Sequence, residues 1–173
     1  MYTLKSYVER VNKDNINVIT RSGVLIALSA IGAMIKIQGT IAFDSMPGYF
    51  AALFISPIAG GFVAALGHLL TSITSGFPLT LPMHLMLIIV MGLIAFVFGV
   101  VEKKTNGVIA CSVAILLNGP IATVISAITA KAIGLPFSGT AMFSALVVPL
   151  TIASALNIII AYVIYKILKN HKL

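Results

Sequence analysis

Long apolar runs separated by short polar breaks make up this chain, and the lengths of those runs predict membrane-spanning helices. The first run covers residues 18–37, enough to cross ~30 Å of hydrocarbon at ~1.5 Å per helical residue. A polar loop at 38–44 follows, and then a shorter apolar run, 45–55, that stops ahead of Pro57. The third run, 58–73, gives way to a loop at 74–82 that holds Gly76, Pro78 and Pro82. A fourth run, 83–101, closes on the polar stretch Glu102-Lys103-Lys104-Thr105-Asn106. The fifth, 107–131, carries Asn118-Gly119-Pro120 inside it, where a bend is expected because proline removes a helical hydrogen bond. After a loop at 134–139, the sixth run occupies 140–168. Ahead of all six, Leu4, Tyr7, Val8 and Val11 recur at helical spacing with Lys5, Arg10 and Lys13 between them, the pattern of a short amphipathic helix on a membrane surface. The expected organisation is therefore a surface segment at 1–17, an all-α membrane domain of six helices at 18–168, and a tail at 169–173.

Composition agrees with that pattern. The chain is 60% hydrophobic and 9% charged, with a mean hydropathy of +1.12. Residues 45–101 contain no Asp, Glu, Lys or Arg, which a soluble domain cannot sustain because its surface must stay hydrated. The net charge of +7 does not point to nucleic acid, because the basic residues sit in the short segments beside apolar runs and form no face interleaved with aromatics. They act instead as topology signals and lipid headgroup contacts. With six crossings, Lys5, Arg10, Lys13, Arg21, Lys103, Lys104, Lys166, Lys169 and Lys172 share one side, and only Lys36 and Lys131 lie opposite. The positive-inside rule then places both termini in the cytoplasm of a multi-pass cell-membrane protein. Cys111, the single cysteine, is expected to be a small packing residue, and no cleavable leader is expected at the N-terminus.

The polar groups that interrupt the apolar runs gather toward the outer side. Asp44 is the only acid between Asp14 and Glu102, and Lys36 lies just before the same loop. His68, Thr71, Ser72 and Ser75 share one helical face. His84 opens the fourth helix, and Asn118 sits where the fifth bends. Aromatic residues flank them: Phe43, Tyr49, Phe50 and Phe77. An outward-open pocket with aromatic faces and a few hydrogen-bonding groups suits a small aromatic or vitamin-like solute. Each residue also has a plainer role. On that reading Asp44 would cap the second helix, His68 and Asn118 would be interhelical hydrogen-bonders, and Thr71, Ser72 and Ser75 would bond back to their own helix. Asp44, His68 and His84 include metal-ligand types but follow no metal-binding spacing, so no metal and no cofactor are expected. Gly23 and Ala27, like Ser29 and Ala33, form small-xxx-small pairs on the first helix, and Gly60, Gly61, Ala64 and Ala65 do so on the third.

With those residues in view, the whole chain resembles the substrate-binding S component of an energy-coupling factor (ECF) vitamin transporter. The segment 23–30, Gly-Val-Leu-Ile-Ala-Leu-Ser-Ala, is similar to that family's Ala-xxx-Ala segment, with Gly23 in place of the first alanine. Residues 32–37, 43–52 and 67–70 look most like the cobalamin-precursor branch, whose substrates are α-ribazole or dimethylbenzimidazole. The resemblance implies a binding protein that captures a vitamin from outside beneath a first-loop lid. It implies partners as well: a transmembrane coupling subunit, contacted through Gly23 and Ala27, and two ATPase subunits. No phosphate-binding Gly-x-x-x-x-Gly-Lys-Ser/Thr loop occurs here, so the energy source is expected to lie in a partner. In this frame Lys36, Asp44, Tyr49, Phe50, His68, Ser72, Phe77, His84 and Asn118 are the expected solute contacts.

Other readings make different demands. Pantothenate, folate precursors or a pyridoxine-like compound would suit other branches of the same family, whereas the nickel/cobalt type needs an N-terminal histidine that residues 1–17 lack. An intramembrane enzyme would need an acid pair, a His-Glu-x-x-His run or a Ser/His arrangement, and one outer acid makes no dyad, so no catalytic activity is expected. A secondary transporter or channel would show repeated halves or an acid deep in a span.

Overall fold

A computed structural model describes the backbone of residues 4–38 and 41–171, and their side chains except those of 4–13 and 36–38. Seven α-helices and one small hairpin make up the fold: α1 (Leu4–Gly32), β1 (Lys36–Gln38), β2 (Ile41–Ala42), α2 (Met46–Phe54), α3 (Pro57–Thr74), α4 (Leu81–Lys104), α5 (Gly107–Leu116), a π-helical turn (Leu117–Ile121), α6 (Ala122–Ala132) and α7 (Gly139–Asn170). Among the described residues, five segments are long and apolar enough to cross a bilayer: Asp14–Gly32, Pro57–Thr74, Leu81–Lys104, Gly107–Ala132 and Gly139–Asn170. The last but one combines α5, the π turn and α6. Burial runs inside-out, as lipid requires. Ile19, Phe62, Ile89 and Val148 are exposed, while Asp44, His68, Asn118 and Asn157 are buried.

Two features differ from the sequence expectation. α1 is one unbroken helix from Leu4 to Gly32, so residues 4–17 of the surface segment expected at 1–17 are continuous with the first crossing. The amphipathic side chains of that segment lie outside the described residues, as does the end of the tail at 172–173. The second difference is larger. The first helix stops at Gly32 instead of continuing to 37, and the chain folds into the hairpin, with Lys36 paired to Ala42 and Gln38 to Ile41. Gly32 is required there because the Phe43 carbonyl packs directly onto it, where any Cβ would sit. The expected second span is then only the nine residues of α2, ~13 Å long against ~30 Å of hydrocarbon.

Contacts fix the helix directions. Ser29 lies against Gly67 and Leu25 packs with Val63, so α1 and α3 run parallel. Gly48 meets Ala64 and Gly60 meets Ala52, so α2 runs antiparallel to α3. Gly61 meets Gly92, and Ser72 bonds His84, which makes α3 and α4 antiparallel. Gly107 meets Tyr162 and Gly119 meets Thr151, so α5–α6 opposes α7. The helices α1 to α4 therefore alternate in direction, and the continuous α5–α6 rod runs against α7. The small residues of α3 serve this packing on two sides: Gly60 and Ala64 face α2, while Gly61 and Ala65 face α4.

At Pro120 the helix widens into its π turn. Proline lacks the N–H for the ladder and its ring crowds the preceding turn, and the wider turn relieves both. The consequence is that Asn118 and Gly119 lie buried against α7.

The loop 75–80 holds three positive φ values, at Gly76 (72°), Phe77 (50°) and Thr80 (77°). Thr80, with ψ 155°, occupies a region otherwise used almost only by glycine. Replacing Thr80 with glycine is expected to raise the melting temperature of the detergent-purified protein, because relief of ~1–3 kcal/mol of strain exceeds the ~0.5–1 kcal/mol that glycine's extra chain entropy costs. An unchanged or lower midpoint would mean that the loop stores no strain there.

Candidate functional site

Between the hairpin, α3, α4, the π turn, α6 and α7 lies a cavity of about 210 Å3. Its walls are mainly apolar, with Ile41, Leu87, Met91, Met142, Leu146 and Leu150 prominent, and Phe137 is its one aromatic residue among the described ones. Its polar groups are few: Asp44, Ser45, His68, Asn118, Thr123, Ser126, Ser154 and Asn157.

Asp44 reaches this position because the hairpin descends into the bundle. Its carbonyl accepts a 2.6 Å bond from Ser29 Oγ on α1. That approach needs Gly67 on α3, where a Cβ would sit 2.7 Å from Ser29 Oγ and 3.4 Å from the Asp44 carbonyl oxygen. Thr71 Oγ1 donates to Asp44 Oδ2 at 2.7 Å, and His68 Nδ1 lies 3.6 Å from the same oxygen. The spacing of three between His68 and Thr71 puts both on the α3 face that looks toward the loop. His68 Nε2 has no hydrogen-bond partner although it is buried.

Asn118 faces the same space from the π turn. Its Nδ2 donates to Ser154 Oγ at 2.8 Å, and Ser154 Oγ donates in turn to the Leu150 carbonyl at 2.7 Å. Asn118 Oδ1 is buried and unpartnered. From α7, Asn157 holds the descending loop on both sides of Asp44. Its Nδ2 donates to the Ala42 carbonyl at 3.1 Å, and its Oδ1 accepts from the Met46 N–H at 2.8 Å. Replacing Asn157 with leucine is expected to destabilise the fold by ~2–4 kcal/mol, because it leaves a buried N–H and a buried carbonyl without partners. A chemical or thermal melt of the purified variant checks this, and a melt matching the unsubstituted protein would show that α7 does not anchor the loop.

Of the residues expected to contact a solute, Asp44, His68 and Asn118 line the cavity together. Ser72 and His84 lie behind the wall, where Ser72 Oγ is 3.0 Å from His84 Nδ1. Phe77 packs edge-on against the His84 ring at 5.6 Å between centroids. Tyr49 is buried deeper, edge-on to Phe98 at 5.5 Å, with its hydroxyl unpartnered. Phe50 stacks on Phe54 at 5.1 Å. These three aromatic rings are therefore not among the cavity-lining residues. The Lys36 side chain lies outside the described residues; its backbone belongs to the hairpin. On α1, Gly23 and Ala27 are exposed, and a Cβ at Gly23 would touch nothing within 4 Å. Sequence reasoning passed over Asn157, Ser154, Thr123, Ser126 and Phe137. The signal for Asn157 was present, since a lone amide in an apolar run faces protein and not lipid. Among the described residues, no three His, Cys, Asp or Glu side chains are grouped so as to hold a metal ion.

A largely apolar, partly enclosed space, lined by two residues that each carry a buried, unpartnered hydrogen-bonding atom, is chemically suited to a small polar-edged solute. The sequence model for a family described as "ECF transporter, substrate-specific component" matches residues 17–169. No curated protein and no solved structure matches the chain significantly.

Proposed function

The chain belongs to the family of substrate-specific components of ECF transporters, and from that premise we propose that it captures a flat heteroaromatic vitamin precursor in the cavity beside Asp44, His68 and Asn118. Membership makes it a multi-pass, transport-related binding protein and not an enzyme, and it implies a small-molecule substrate and partnership with a transmembrane coupling subunit and ATPase modules.

The observation that carries this reading is the pair of buried, unpartnered atoms, His68 Nε2 and Asn118 Oδ1, on residues that line one cavity. A buried polar atom without a partner costs ~1–3 kcal/mol, so a ligand that completes both bonds recovers that cost on binding. The volume of about 210 Å3 lies below the ~300–1,000 Å3 of pockets for drug-sized ligands and suits a compact ring system. Dimethylbenzimidazole has a flat apolar body, a ring nitrogen that can accept and a ring N–H that can donate to Asn118 Oδ1; in its riboside α-ribazole the sugar hydroxyls take over the donor's part. Asp44 orients His68, and Phe137 offers the aromatic face that the sequence had suggested for Tyr49, Phe50 and Phe77.

In this reading the hairpin loop with α2 forms the second of six passes, and both termini lie in the cytoplasm with the Lys103–Lys104 turn. The small patch of Gly23 and Ala27 on the exposed face of α1 meets the coupling subunit. The membrane itself contributes annular lipid around the exposed apolar helices, and nucleic acid has no part.

A thermal-shift screen of the purified protein against vitamins and their precursors, followed by calorimetry, tests the proposal. Dimethylbenzimidazole or α-ribazole is expected to raise the melting temperature in step with the logarithm of its concentration. A shift produced only by pantothenate, pyridoxine or a folate precursor would keep the family role and overturn the substrate. No shift from any compound would overturn the cavity as the capture site.

A further inference from the structure

His84 is fully buried on α4, and the cavity is lined without it. Its contacts nevertheless lead to the cavity. The Leu79 N–H points at His84 Nε2 at 3.5 Å, and on the other side of the ring Nδ1 lies 3.0 Å from Ser72 Oγ. The direction of these bonds is determined by chemistry. A backbone N–H can only donate, so Nε2 is the acceptor and the proton sits on Nδ1. That proton goes to Ser72 Oγ, and the serine's own proton goes to the His68 carbonyl at 2.7 Å. One consistent chain of donors therefore runs from the α3–α4 loop through His84 to α3.

The loop it holds is the one with positive φ at Gly76, Phe77 and Thr80. Pro78 and Leu79 of that loop form part of the cavity wall. A segment with two non-glycine residues in unfavourable backbone regions keeps its shape only where surrounding contacts impose it. His84 supplies two of those contacts, the acceptor for Leu79 and the flat surface against Phe77.

We propose that His84 is a positioning residue that latches the 75–80 loop over the cavity and so sets how readily a solute enters and leaves. The proposal rests on the cavity being the capture site, but its test needs no solute. In a protein with Cys111→Ser and Ser126→Cys, the new thiol lies on the cavity wall and reports access to a small charged methanethiosulfonate reagent. Labelling is expected to be slow with His84 in place and at least tenfold faster with His84→Phe, which keeps the ring and removes both hydrogen bonds. His84→Gln, which keeps an acceptor close to the position of Nε2, is expected to return the rate most of the way. Equal rates in all three proteins would overturn the latch. A His84→Gln rate as fast as that of His84→Phe would overturn it as well, because it would reduce His84 to packing.

If His84→Phe does not fold, hydrogen exchange in the unsubstituted protein decides. The Leu79 amide should exchange at least tenfold more slowly than an unstructured amide, and unprotected exchange there would overturn the proposal. Failure of every vitamin in the binding screen would remove the solute and leave both of these results standing, so the two ideas fail separately.

Discussion

Replacing Gly60 with alanine will stop α2 from docking on α3 and leave little folded protein. A Cβ at Gly60 would overlap the backbone of Ala52, not the flexible end of a side chain, so no rotamer change can make room. Gly48 faces the same limit from the other helix, where a Cβ would lie 2.8 Å from Ala64 Cα and 2.9 Å from its nitrogen. The helices would have to separate along their whole contact. That separation would loosen the cluster in which Tyr49, Ala52, Ala64 and Phe98 pack together. Ordinary overpacking costs ~1–3 kcal/mol, and a clash of backbone with backbone belongs at or above the upper end. The contrasting variant is Gly23→Ala, which meets nothing within 4 Å and gains up to ~1 kcal/mol of helix propensity. Size-exclusion profiles and thermal midpoints of the two variants in one detergent provide the comparison. A monodisperse Gly60→Ala protein with an unshifted midpoint would contradict the close α2–α3 approach.

Asp44→Ala will weaken binding of dimethylbenzimidazole or α-ribazole, whichever the screen identifies, by 100-fold or more. The carboxylate lies buried beneath the loop, accepts from Thr71 and stands beside His68. Its removal leaves the Thr71 hydroxyl without that acceptor and frees the His68 ring to turn away from the cavity. Hydrogen bonds to charged groups contribute ~1.5–3 kcal/mol each, and ~1.4 kcal/mol corresponds to a factor of ten in affinity. Asp44→Asn keeps an acceptor for Thr71 and is expected to lose roughly tenfold, since only the charge beside His68 disappears. Isothermal titration of the three proteins separates the effects. Equal affinities would remove Asp44 from the site, and equal losses for both variants would mean that charge alone matters.

Much of this arrangement was legible in the chain, and the reasons are specific. His68 and Thr71 lie three apart, which on a helix fixes a shared face, and Asp44 was the one acid available to meet them. Asn118-Gly119-Pro120 announced a bend because proline cannot complete the ladder, although whether it becomes a kink or a π turn depends on what α7 offers at Thr151 and Ser154. The short α2 was legible as the run 45–55, but the hairpin before it was not. An apolar run shows how much chain avoids water, but it does not reveal that the loop before it sinks between Ser29 and Gly67. The places of the aromatic rings were not legible for a related reason. Tyr49 and Phe50 are close to Asp44 in sequence, yet the turn of α2 directs one ring toward Phe98 and the other toward Phe54. Proximity along a helix says little about which side of it a ring occupies.

The sunken loop has a further consequence for the journey of a captured molecule. Asn118 lies eleven residues into the α5–α6 rod, ~16 Å from its start at Gly107 and some 20 Å from its far end at Ala132. Asp44 meets α3 at Gly67 and Thr71, one to two turns short of that helix's end at Thr74. A guest resting between them would therefore lie well inside the bundle, near the middle of the α5–α6 rod and beneath the end of α3.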